Sequence, residues 1–159
     1  MYCDIVPTLV DLAGGTISDR IDAVSFSGVL LNGDASTSRK HALMFGQRHL
    51  TQRAIRKKDF KLIWTPDTTT AYHQKNIMGP ESKKRFHDAW LEKAKTDPAA
   101  KAKVDRIIHH PEFQFYDMRE GPFETNNLAS APTHSQCMRE MFSELKRGLA
   151  GLNDELGHE

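Results

Sequence analysis

Phe113-Gln-Phe-Tyr-Asp-Met-Arg-Glu-Gly-Pro-Phe-Glu-Thr-Asn-Asn-Leu-Ala129 decides the fold. Its front end alternates. Phe113, Phe115 and Asp117 fall on one side of a strand, and Gln114, Tyr116 and Met118 on the other. Aromatics this dense suit a pleated, half-buried surface. Gly121 tolerates a turn and Pro122 has no amide to give a ladder, so the strand stops there. Glu124 to Asn127 supplies side chains that bond local backbone and leads towards a helix.

Upstream, the same alternation repeats. His41 to Gly46, Arg53 to Arg56 and Phe60 to Thr65 read as three more strands. Phe60, Leu62 and Trp64 share one face, with Lys61 and Ile63 on the other. Lys57-Lys58-Asp59 is a short polar connection, which makes the last two a hairpin. The cations Arg53, Arg56, Lys57, Lys58 and Lys61 read as the solvated side and edge of an antiparallel sheet. A nucleic-acid surface would interleave stacking aromatics among them, and none is there.

Between the third and fourth strands lies a helical insert. Phe86 and Trp90 stand four apart, with Ala89 and Ala94 on the same side. Asp97-Pro98 restarts a second helix, with Asp97 as N-cap and Pro98 at the first position. Ala100, Val104, Ile107 and Ile108 make its apolar face. The final helix is expected from about Thr133 to Leu149. Thr133 and Gln136 have capping-box spacing. Met138, Met141 or Phe142, Leu145, Leu149 and Leu152 form its buried stripe, and Asn153 to Glu159 is expected to fray.

At the other end, Ile5, Leu9 and Leu12 recur at helical spacing, and Gly14 and Gly15 stop the run. Together with Val6 and Val10 they cover more than one stripe. An Asp4–Ala13 helix is therefore expected either to fray or to self-associate. Ser25 is placed to cap a short turn whose Phe26, Val29 and Leu30 face inward. The fold class is α+β: a small, mainly antiparallel four-stranded sheet, a C-terminal helix on one face, and a helical insert before the last strand.

The chain has 159 residues, enough for a real core. Its 22 basic and 21 acidic side chains leave a net charge of +1, which gives no global attraction to nucleic acid or to an anionic membrane. Mean hydropathy is −0.57, and no apolar run approaches the ~20 residues of a membrane helix. Met1-Tyr2-Cys3-Asp4 has neither a basic leader nor an apolar core of a signal peptide. Cys3 and Cys137 are no disulfide scaffold, and a single bridge between them is left open.

Several motifs carry a resemblance. Tyr-Asp-x-x-x-x-Pro-x-Glu-x-x-Asn-Leu, from Tyr116 to Leu128, resembles the closing signature of the sulfatase family, with Phe115 in place of Leu and Gly121 in place of Asp. Asp-Ile-x-Pro-Thr-x-x-x-x-Ala-Gly, from Asp4, is similar to the helix that ends the sulfatase catalytic domain. Asp22-Ala-Val-Ser-Phe26 resembles that family's Asp-Gly-x-Ser-Phe, and Arg53-Ala-Ile-Arg56 with Phe60-Lys-Leu-Ile63 is close to a C-terminal pattern. The insert resembles the N-sulfoglucosamine sulfohydrolase-like subgroup.

The resemblance implies a remnant of the catalytic domain's end and a linker over residues 1–33, and a C-terminal domain over residues 34–159. Intact relatives hydrolyse sulfate esters or sulfamates, using formylglycine made from Cys/Ser-x-Pro-x-Arg and a divalent cation, usually calcium. Bacterial relatives are usually exported. Neither cysteine here sits in that signature, and no Asp-Asp or Asp-His-Gly ligand motif occurs. No zinc spacing such as His-Glu-x-x-His or Cys-x-x-Cys occurs either. The expectation is a chain without catalytic residues, cofactor or metal of its own, or else a non-catalytic binding module on the same fold. A sulfated saccharide is the expected partner. The loop Gly46 to Gln52 is the candidate contact: the Arg48 fork suits a sulfate, and His49 can donate to a hydroxyl or sulfate oxygen.

Overall fold

The computed structural model describes residues 2–36, 38–46, 51–72, 81–121 and 123–157, with residues 81–85 given by backbone alone. Four strands, β1 (Ala42–Phe45), β2 (Arg53–Arg56), β3 (Phe60–Trp64) and β4 (Phe113–Asp117), form one antiparallel sheet in the order β1-β2-β3-β4. Among the described residues the α-helices are α1 (Ile5–Leu12), α2 (Ser27–Asn32), α3 (Glu81–Ala94), α4 (Pro98–Ile108) and α5 (Ser135–Gly151). The α+β architecture is thus the expected one: sheet, C-terminal helix, and a two-helix insert before the last strand.

Register explains the core. Leu43, Ile55, Leu62 and Phe115 pair across the sheet as one row, and Phe45, Arg53, Trp64 and Phe113 as the next. Alternation puts both rows on one face. Against that face lie Met141, Leu145 and Leu149 of α5, buried with Ile55, Leu62 and Phe115. Each such side chain contributes roughly 1.5–3 kcal/mol by leaving water. Phe142 meets Trp64 and Phe113 edge-on, both at 5.1 Å. Gly148 lets α5 close on β1, since a Cβ there would stand 2.7 Å from Leu43 Cδ1.

The opposite face is less solvated than a half-buried sheet would be. Gln114 and Tyr116 are buried, and the Tyr116 hydroxyl donates to Gln114 Oε1 at 2.8 Å. The chain after β4 folds back over them: Glu124 crosses to Lys61 Nζ at 2.7 Å, and Arg106 of α4 donates to the Thr125 carbonyl at 3.0 Å. Burial pushes the Tyr116 hydroxyl pKa up.

Helix details split. Asp97 caps α4 as expected, accepting from Ala99 N at 2.9 Å and Ala100 N at 3.1 Å. The Thr133/Gln136 box does not form. A 3-10 turn, Pro132–His134, precedes α5, and the Ser135 hydroxyl bonds the Pro132 carbonyl instead. Leu152 lies past the last turn of α5 and is exposed. Phe86 is 71% exposed, because α3 is packed chiefly against α4 and turns that side outward. Val29 and Leu30 also face solvent; α2 rests on its polar start, not on an inward stripe.

The tail does not fray through Gly157. A 3-10 turn, Glu155–Gly157, folds back on α5, with Leu156 against the core and its carbonyl accepting from Lys146 Nζ at 3.0 Å. Gly157 lies so close to the Ala150 backbone that any Cβ would collide. Cys3 and Cys137 are free thiols.

Candidate functional site

Arg48 and His49, the expected substrate contacts, lie outside the described residues. Their loop's base is described. Gly46 N donates to Gln52 O at 2.8 Å and closes the β1–β2 hairpin. Gln52 Nε2 donates to the buried Thr65 hydroxyl at 3.0 Å. Arg53, next along β2, donates through Nε to Asp154 Oδ2 at 3.0 Å and lies 5.2 Å over the Phe45 ring. Sheet, neighbouring strand and folded-back tail therefore hold both ends of this loop. Arg53 itself is consumed by that anchoring, its charge matched by Asp154.

Beside β1 is a hollow of about 670 Å³ between that strand, the end of α5 and residues 21–24. Phe45 stands at the loop end, half exposed at 51%, and Arg39, His41 and Arg147 line the wall. A second hollow of about 350 Å³ shares Arg39 and His41 and continues past Ala42 to Arg56, Lys57 and Lys58. The first lies beside β1, the outer strand of the sheet, and the second at its start.

The linker that walls this space is held by Asp4. Its buried carboxylate accepts from Arg39 Nε at 3.1 Å, from Arg39 Nη2 at 2.7 Å and from Val24 N at 3.0 Å. The Arg39 guanidinium beside it holds the Asp4 carboxyl well below the usual range. Arg39 Nη2 also donates to Asp22 O at 2.9 Å. Asp11 takes the hydroxyls of Ser25 and Ser27, and Thr8 Oγ1 receives Phe26 N at 3.1 Å. Ser25 Oγ accepts from Ser27 N, the first amide of α2, at 3.2 Å, as its expected capping role requires, although the residue at the N-cap position itself is Phe26. Nothing in the sequence pattern pairs Asp4 with Arg39 across thirty-five positions, so sequence reasoning missed it.

The C-terminal motif has a structural part. Glu124 pairs with Lys61, Leu128 joins the core, and Asn127 Oδ1 accepts from Phe115 N at 2.9 Å. Asp117 is buried, and the Arg119 fork at its side lowers its pKa to about 2. No three His, Cys, Asp or Glu side chains gather as a metal site among the described residues. None of the described helices is long and apolar enough to cross a membrane.

No protein-family model matches the chain. Two curated proteins do, both named Ulvan-active sulfatase and both from Formosa agariphila. One is 25% identical over 155 residues, the other 24% identical over 158. They cover 91% and 97% of this chain, while the chain spans only 28% and 26% of their length. Among solved structures, a 2-O glycosaminoglycan sulfatase superposes with a TM-score of 0.60 at 18% identity, over 96% of this chain and 25% of its own. A second, solved with its substrate D-glucosamine-2-N,6-O-disulfate, gives 0.58 at 20% identity, over 96% and 24%. The fold is thus one found within sulfatases, and the chain resembles a sulfatase fragment, about a quarter of such an enzyme.

Proposed function

We propose that this chain is the C-terminal part of a sulfatase of sulfated saccharides, and that its task is to border the substrate while the chemistry lies elsewhere. One observation carries the reading. Relatives named as sulfatases match nearly all of this chain, yet this sequence has no Cys/Ser-x-Pro-x-Arg signature to become the nucleophile. In an intact relative the reaction is hydrolysis of a sulfate ester or sulfamate, with formylglycine and a divalent cation supplied by the catalytic part. Arg48 and His49 are the residues assigned to the sugar by resemblance, and the described residues after them, Gln52 and Arg53, are fixed to Thr65 and Asp154.

The missing signature also favours a second reading, a non-catalytic saccharide-binding module. An in-frame upstream segment encoding Cys-x-Pro-x-Arg discriminates in favour of the first.

The experiment is direct. The purified chain is incubated with D-glucosamine-2-N,6-O-disulfate; sulfate release is followed by ion chromatography and binding by NMR titration. We expect no release, weak binding, and loss of that binding in Arg48→Ala and His49→Ala. Sulfate release by the purified chain overturns the non-catalytic role. Binding that ignores both substitutions overturns the assignment of the loop.

A further inference from the structure

The two edges of the sheet are treated differently. At β4, Asn127 and Leu128 seal the outer backbone: Asn127 Oδ1 accepts from Phe115 N at 2.9 Å, Asn127 Nδ2 donates to Phe113 O at 3.1 Å, and Leu128 N donates to Phe115 O at 2.8 Å. At β1, no backbone bond among the described residues covers the outer edge; one hollow lies beside the strand, and the other lies at its start against the end of β2. An open edge offers amides and carbonyls to whatever lies there.

Charge around the two hollows is mostly positive, with Asp4 in the lower lining and Asp22 in the upper. Arg39, Lys40, His41, Arg56, Lys57 and Lys58 line the lower hollow, and Arg147 lines the upper one. The nearby carboxylates are occupied or few. Asp4 is taken by Arg39, and Glu144 by Lys57 at 2.6 Å, with His41 Nδ1 also 2.9 Å from it. Asp22 is the other acid of the lining. The exposed side chains of Lys40, Arg56 and Lys58 make no hydrogen bond or ion pair among the described residues, while Arg147 lies close enough to Glu144 to help lower its pKa. Neutral pairs beneath and unmatched cations above make a surface that attracts anions at short range, although the whole chain is nearly neutral.

We infer that the end of the sheet where β1 begins and β2 ends is a binding groove for a sulfated polysaccharide, in which Lys40, Arg56 and Lys58 hold sulfate groups away from the Arg48–His49 loop. The strand fixes the separation. The loop leaves after Phe45, whose side chain shares the face of Leu43, whereas Arg56 of β2 pairs with Ala42 in the row that alternation turns to the other face, so the two stand about 10 Å apart along β1 and on different sides of the sheet. A polymer spans that distance and a monosaccharide does not. The half-exposed Phe45 gives the loop end an apolar ring on which a sugar face can rest. Single-stranded nucleic acid fits less well, because no row of aromatics accompanies the cations. The ligand class rests on the saccharide reading above; the groove and its charge do not.

The test uses the full chain and two probes, heparin as a sulfated polymer and D-glucosamine-2-N,6-O-disulfate as a single sugar, both by titration calorimetry at low and moderate salt. Lys40→Glu, Arg56→Glu and Lys58→Glu are combined in one variant. We expect heparin binding to fall about tenfold or more, with a weaker salt dependence, and binding of the single sugar to stay as it was. Lys103→Glu, an exposed charge on α4, is expected to change neither. Melting curves establish that the triple variant is folded. The neutral triple Lys40→Gln, Arg56→Gln, Lys58→Gln is expected to lose polymer binding in the same direction. Heparin binding unchanged in both triples overturns the groove. Equal loss for polymer and single sugar overturns its separation from the loop. DNA bound as tightly as heparin through the same three residues overturns the saccharide. A failure of Arg48→Ala and His49→Ala to matter overturns the loop assignment and not the groove, whose described lining includes neither residue.

Discussion

The side chain of Asn127 stands beside Phe115 where a fifth strand would lie, taking the Phe115 amide at 2.9 Å and giving its own amide to Phe113 O at 3.1 Å. It also receives Ala129 N at 3.0 Å, which starts the turn towards α5. One residue therefore ends the sheet and redirects the chain. Asn127→Ala removes the part-buried bond to Phe115 N and the exposed one to Phe113 O, whose carbonyl can turn to water, and is expected to cost about 1 kcal/mol. Asn127→Asp keeps the acceptor but aims a carboxylate oxygen at Phe113 O, so it also loses stability. Urea unfolding measures both, and heparin binding at the far edge stays unchanged.

Leu145 is fully buried in the centre of the core, touching the row that Ile55, Leu62 and Phe115 form. Leu145→Ala is expected to cost about 2–5 kcal/mol. Leu152, seven residues on, is 42% exposed past the end of α5, and its alanine variant is expected to stay within about 0.5 kcal/mol. Chemical denaturation of the two variants side by side separates the stripe that is buried from the one that only continues its spacing.

That contrast shows what the sequence could carry. Alternation in Phe60–Trp64 and Phe113–Asp117 fixes faces because a pleat has only two sides, and Asp97-Pro98 starts a helix by local bonds alone. Periodicity in Phe86, Val29 and Leu30 says that a side is apolar, not that anything lies against it, and these side chains are exposed. The tail departs from its expected fraying for the opposite reason: what folds it, Arg53 to Asp154, joins positions 101 apart. The groove was legible as a list of cations but not as a place, because Lys40 and Lys58 come together only when β1 and β2 pair in register. Arg48 and His49 remain assigned by resemblance.

Acid should loosen the end of β4 through Asp117. In the folded chain the Arg119 fork lowers its pKa from 3.8 to about 2; in the unfolded chain it returns to 3.8. A depressed folded value stabilises the fold above the unfolded value, and that contribution disappears as pH falls through the folded one. Stability of the wild type therefore declines across this interval. Asp117→Asn cannot titrate, so the stability difference between the two proteins is expected to shrink as pH drops from 3.8 to about 2. Urea midpoints measured through that interval check it; a difference that stays constant contradicts the role of the pair.

The first helix carries the last prediction. Its polar side is fastened: Asp4 to Arg39 and Val24, Thr8 to Phe26, Asp11 to Ser25 and Ser27. Its other side is apolar and open, with Ile5, Val6, Leu9 and Leu12 exposed, and Leu30 and Leu31 of α2 exposed as well. A fastened helix with a bare apolar side does not relieve the exposure by fraying; it associates. The isolated chain is therefore expected to form concentration-dependent dimers or larger species in sedimentation velocity, with slow amide exchange over residues 5–12. Leu9→Glu with Leu12→Glu puts charge on the open side only, and is expected to give a monomer that unfolds at the same urea concentration. Arg39→Ala removes the fastening instead, and is expected to speed exchange in α1 while the sheet keeps its protection. A wild-type chain that stays monomeric at every concentration, with α1 exchanging as fast as in Arg39→Ala, would show that the clasp is too weak to hold the helix and that exposure is relieved by opening.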